Sequence, residues 1–147
     1  MCEYSLAYFP SRLAVEGELL VVRRFPCGTM GLTAARRSLK QMLFPGATCA
    51  VCVPPGARLL LRDIPESLQR RFRIRPAEEV TFVQQSAEAF TYRDAVRFSN
   101  GREVLLQRLE KGLRVRVLSL DLAEDEPPRQ HTVGDYGHRA ARRGTPA

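Results

Sequence analysis

Apolar and polar positions alternate most clearly between residues 78 and 120. Leu113, Val115 and Val117 alternate with Arg114 and Arg116, the period-two pattern of a strand that buries one face and shows arginines on the other. A Lys111-Gly112 turn precedes it. Upstream, Ser99-Asn100-Gly101 separates two alternating runs, a strong hairpin signal. A two-residue turn would set Phe98 opposite Glu103. A three-residue loop with left-handed Gly101 sets Val96 opposite Val104 and Arg97 opposite Glu103, and gathers Val96, Phe98, Val104 and Leu106 on one face. The second register is the expected one, because a slip of one residue turns every side chain to the other face.

The same reading extends towards the N-terminus. Glu18 to Phe25 reads as a strand closed by Pro26-Cys27-Gly28. Thr33 is placed to cap a helix over 34–44, with Ala35, Leu39, Met42 and Leu43 on an apolar face and Arg36, Arg37 and Lys40 towards water. Pro45-Gly46 ends that helix. Residues 48–53 form a short apolar run, read as a buried strand, and Pro54-Pro55-Gly56 turns the chain into a strand from Arg58 to Arg62. Ile64-Pro65-Glu66 starts a second helix with proline in its first turn, Leu68 and Phe72 lying on one side. The polar pair Glu78-Glu79, read as solvated, leads into a strand from Val80 to Gln84. Alternation of Phe90 and Tyr92 suggests one more strand over 86–93. The expectation is a mainly β domain (β-rich α+β) over residues 1–122: a small barrel or roll of six or seven strands with two short helices.

Beyond Leu122 the pattern stops. Glu124-Asp125-Glu126-Pro127-Pro128 marks a boundary, and 123–147 has too few apolar residues to bury much surface, so it reads as a flexible charged tail. A chain of 147 residues that is 44% hydrophobic and 27% charged fits one globular domain. No apolar run approaches the roughly 20 residues of a membrane helix. The N-terminus lacks a basic start followed by an apolar run, and a cytoplasmic location is the expectation.

The formal net charge is +7, and residues 1–120 hold 19 basic and 11 acidic residues, a net +8. Of the 23 basic residues 21 are arginine, whose planar fork suits phosphate and carboxylate. Arg70, Arg71, Arg73 and Arg75 crowd the second helix, only partly offset by Asp63 and Glu66. Arg114 and Arg116 share one face of the last strand, and Arg23-Arg24 and Arg36-Arg37 are further clusters. Arg70, Arg71, Arg73, Arg75, Arg114 and Arg116 are therefore the candidates for binding nucleic acid or an acidic partner. The chain has no tryptophan, and its other aromatic residues read as core, so the stacking usual for single strands is missing.

The thiols are the remaining chemistry. Removal of Met1 would leave Cys2 with an amine beside its thiol, the arrangement of N-terminal nucleophiles, but no companion motif accompanies it. Cys49 and Cys52 form a C-x-x-C, which chelates zinc when a turn brings both sulfurs together. In an extended strand the two point to opposite faces, so buried thiols are the simpler reading. A metal site such as zinc would draw on Cys2, Cys27, Cys49 and Cys52. His131 and His138 fall in the tail, where neither is positioned as a base or ligand. The segment from Gly28 to Gly31 lacks the spacing and lysine of a phosphate loop.

Met1-Cys2-Glu3-Tyr4-Ser5-Leu6, Arg12-Leu13-Ala14, Ala50-Val51-Cys52-Val53-Pro54-Pro55-Gly56 and Asp94-Ala95 carry a resemblance. The chain resembles, in scattered segments over 1–120, a group of short uncharacterised bacterial proteins that begin Met-Cys-Asp-Tyr-Ser-Leu. Glu3 departs from the group's aspartate, and Ala7 stands where a histidine often follows. The resemblance implies a bacterial source and transfers no activity. With no coherent catalytic set, the expected role is a non-enzymatic accessory or interaction protein, such as a small subunit of a bacterial complex. The alternatives are a nucleic-acid-binding module using the arginines, and a thiol-centred metal-binding or catalytic protein using Cys2 and Cys49/Cys52.

Overall fold

A computed structural model describes residues 6, 8–36, 39, 43, 48–85 and 92–120. The described strands are β1 (Ser11–Leu13), β2 (Leu19–Arg24), β3 (Met30–Ala34), β4 (Ala50–Cys52), β5 (Arg58–Arg62), β6 (Glu78–Gln84), β7 (Asp94–Phe98), β8 (Glu103–Leu105) and β9 (Arg114–Ser119), with helix α1 (Glu66–Phe72) between β5 and β6. Seven strands form one antiparallel sheet in the order β3-β2-β9-β5-β6-β7-β8, and β1 and β4 form a separate parallel pair. The sheet curls around its apolar face into a half-barrel. The fold is thus mainly β, as the alternation predicts.

Alternation decides which face is inside. Val115 lies opposite both Leu20 and Leu61, and Phe82 opposite Val96. These five side chains are at most 2% exposed. Burying each contributes about 1.5–3 kcal/mol. A one-residue slip of β9 would forfeit that contribution for Val115 and Val117 and turn Arg114 and Arg116 inward. The predicted hairpin register is the observed one: Val96 pairs with Val104 and Arg97 with Glu103, with Gly101 left-handed at φ 82°. The β2–β3 hairpin repeats this design. Phe25 N–H donates to the Thr29 carbonyl and Gly28 N–H to that of Phe25, at 2.9 and 2.8 Å, around Pro26-Cys27-Gly28 with Gly28 at φ 87°.

The closed barrel is replaced by a half-barrel, because among the described residues no backbone ladder joins the edge strands β3 and β8. A side chain spans the gap. The Gln107 amide accepts from Met30 N–H at 2.9 Å and donates to the Met30 carbonyl at 3.0 Å, imitating one rung of a β-ladder. The β4 ribbon fills the opening, where Val51 and Val53 pack with Leu32, Phe82 and Leu106.

The helix expected over 34–44 is corrected at its start. Thr33 and Ala34 belong to β3, so Thr33 caps nothing. Both faces of β3 are covered: Met30 and Leu32 face the core, while Gly31 lies so close to Leu6 and Phe25 that a Cβ would sit 2.7 Å from each. With both faces buried the strand shows no alternation, and its Gly-Thr composition resembles a turn and a cap. Leu39 and Leu43 are helical but 77% and 73% exposed, so these two positions of the predicted apolar stripe stay outside the core. The rest of that helix and the expected tail over 123–147 lie outside the described residues, as does most of the strand expected over 86–93, whose last residues Tyr92 and Arg93 are not in a strand. Glu78, read as solvated, is 4% exposed, because the turn after α1 folds back over it. No helix among the described residues is long and apolar enough to cross a membrane.

Replacing Gln107 by alanine leaves both backbone groups of Met30 without that partner and is expected to lower unfolding free energy by about 1–3 kcal/mol, measured by urea denaturation. Gln107→Glu keeps the acceptor but loses the donor. Its deficit relative to the wild type is expected to shrink as acid protonates the new carboxyl.

Candidate functional site

The described cysteines do not converge. Cys27 is exposed in the β2–β3 turn and Cys49 is half-buried before β4, both as free thiols. Cys52, half-buried at the end of β4, is disulfide-bonded. The two cysteines of the C-x-x-C are therefore in different chemical states. Cys2, His131 and His138 lie outside the described residues. Among the described residues no group of three or more histidine, cysteine or acidic side chains is placed to hold a metal.

A small cavity between β3, β4, β6 and β7 has a volume of about 10 Å³ and is lined by Leu32, Cys52, Phe82, Asp94 and Leu106, among others. That is about the minimum for one water molecule. Asp94 is 4% exposed and accepts from Gln84 Nε2 at 3.1 Å. A shallow groove of about 370 Å³ runs over the β6–β7 seam, lined by Glu79, Val80, Thr81, Arg97, Phe98 and Ser99. Its Arg97 is already tied to Glu103 at 2.7 Å.

The arginines around α1 are mostly engaged. Arg70 pairs with Glu66 one turn earlier. The Arg71 guanidinium lies 5.4 Å from the Phe72 ring centroid. Arg73 ends the helix in the left-handed conformation at φ 55°, a place that glycine usually takes. The hairpin tip holds that end down: Asn100 Nδ2 donates to the Phe72 and Arg73 carbonyls, both at 3.3 Å. Asn100 thus forms its own turn and caps a helix about 27 residues away in sequence. Arg75 donates through its backbone N–H to Glu78 at 2.9 Å and through its guanidinium at 3.3 Å. Burial pushes the Glu78 carboxyl up, but the Arg75 N–H and guanidinium together outweigh it and hold the group below the ordinary glutamate range.

The sheet arginines differ. On the outer face Arg58 is ion-paired with Glu79, and Arg97 with Glu103. Arg116 donates Nη1 to the Gly17 carbonyl at 3.1 Å. Arg114 stands directly opposite Arg62 across the β9–β5 ladder, and both are exposed. The sequence puts Arg62 at a strand end, and only the β9–β5 pairing brings it to Arg114. The structure therefore joins Arg114 and Arg116 to Arg62 and keeps Arg70 and Arg75 with local acids. No family model, curated protein or solved structure matches this chain.

A carboxyl whose folded pKa is depressed contributes stability in full above its unfolded value, and that contribution is lost as pH falls through the folded value. Glu78 obeys this sign, as does Glu18, held low by the Arg12 side chain, which outweighs burial. Stability is expected to fall with pH across and below the ordinary glutamate range. Glu78→Gln is expected to cost about 1 kcal/mol at pH 7 and to flatten that acid limb in thermal melts taken from pH 7 downwards.

Proposed function

We propose that this chain is a non-enzymatic accessory protein that seats against a larger protein partner through the side of the fold that carries β1. The observation that carries this reading is the exposure of Leu13 and Val15, 71% and 61%. They flank the buried Ala14 at and just beyond the end of β1. Tyr8, 89% exposed, precedes them. The strand itself pairs only with β4 among the described strands, which leaves its second edge unladdered. Arg12 guards that edge. Its guanidinium donates to the Leu13 carbonyl at 3.1 Å and is ion-paired with Glu18, and a charge on an edge strand discourages unspecific pairing.

Exposed apolar side chains beside a free strand edge suit a protein partner, which would cover them.

The test is native mass spectrometry on tagged protein recovered from its own cells, comparing the wild type with the Leu13→Asp/Val15→Asp double variant. The wild type is expected in an assembly heavier than the 16.6 kDa chain. Losing two apolar anchors at about 1–2 kcal/mol each weakens binding by about ten- to a thousand-fold, so the variant is expected as the bare chain with an unchanged melting curve. Wild-type protein found only as a monomer would refute the reading.

A further inference from the structure

We propose that the outer face of the sheet is a binding site for a nucleic-acid backbone, centred on Arg62 and Arg114. These residues differ from those of the β1 side, so the site stands whether or not that side docks a partner. Arg62 and Arg114 are directly opposed on neighbouring strands. Directly opposed residues hold their Cβ atoms about 4.5–5.5 Å apart, and like charges there repel. On the same face Arg58 and Arg97 have acids at hand, Glu79 and Glu103 respectively. Among the described residues neither Arg62 nor Arg114 has an ion pair, and Asp63, next in the chain, is paired with neither.

An anion between the two guanidinium groups would remove the repulsion. A phosphate suits best, because each fork can take two of its oxygens. Arg116 lies one pleat further along β9 on the same face, about 6.8 Å away, and its bond to the Gly17 carbonyl fixes its guanidinium. The charges thus run in a line along the strand, which fits a linear polyanion with regularly spaced charges. Val21 on β2 and Leu60 on β5, both half-buried, flank the line from opposite sides. No aromatic side chain lies in the described outer-face rows of β2, β9 and β5, so bases find nothing to stack on. Recognition is therefore of the backbone, independent of sequence, in a body whose residues 1–120 carry a net +8.

The test is fluorescence anisotropy with a labelled DNA strand and its duplex, from about 50 to 200 mM salt. The wild type is expected to bind, with affinity falling linearly in log salt. Arg62→Gln/Arg114→Gln is expected to weaken binding about ten- to a hundred-fold and to reduce the salt slope by about 1.4 on the single strand or about 1.8 on the duplex. Arg102→Gln/Arg108→Gln removes the same charge from exposed positions outside these rows and is expected to leave the slope within error. Arg62→Glu separates folding from binding: it creates a cross-strand ion pair with Arg114, so it is expected to raise the melting temperature while abolishing binding. The proposal is overturned if the wild type does not bind at 50 mM salt. It is also overturned if both glutamine pairs weaken binding equally, or if polyglutamate displaces the DNA at equal charge concentration, which would point to an acidic protein.

Discussion

The fold depends on one placement: β9, the last described strand, inserted between β2 and β5. Among the described strands the β2–β3 hairpin meets the rest of the sheet only through β9. The pairing of Leu19 with Arg116 closes a loop of nearly the whole described chain, the costliest closure here in chain entropy. The row of Leu20, Val115 and Leu61, none more than 1% exposed, offsets that cost. If that row lost its complementarity, two fragments would remain, each with an apolar face open to water.

Once β9 is in place the sheet must curl, because one face carries Phe82, Phe98, Leu59 and their neighbours and the other carries arginines. Curling brings β3 towards the turn after β8 without aligning the backbones. Gln107 takes up the mismatch with an amide that offers one donor and one acceptor to Met30, the complement that a strand would have supplied. A side chain can bridge edges that are not in register, which a ladder cannot do. The same curl turns the arginine-bearing face outward.

On that outside the charges are sorted. Arg58 and Arg97 are each matched by a glutamate on the neighbouring strand. Arg62 and Arg114, opposed at the β9–β5 seam, have no ion pair among the described residues. Counting residues along the chain shows a basic body but not this division, since Arg62 and Arg114 are separated by α1, β6, β7 and β8 and meet only through the sheet order. Conversely, the arginine cluster around α1, dense in sequence, is largely engaged locally by Glu66, Phe72 and Glu78.

Strands whose two faces differ are legible from local pattern. The alternation of β9, the Asn100-Gly101 hairpin with its three-residue loop, the β5 strand and the apolar side of α1 are all local patterns, readable because period and turn chemistry act between near neighbours. The rest was set by long-range packing. It made β3 a strand, because a segment covered on both faces carries no periodic signature. It buried Glu78, because Arg75 folds back over it. It paired β1 with β4, closed the half-barrel through Gln107 and set Arg62 against Arg114. Each of these joins residues that no local pattern links, and the physical reason is the same throughout: strand order and curvature are set by which apolar faces can be covered together, which is a property of the whole chain.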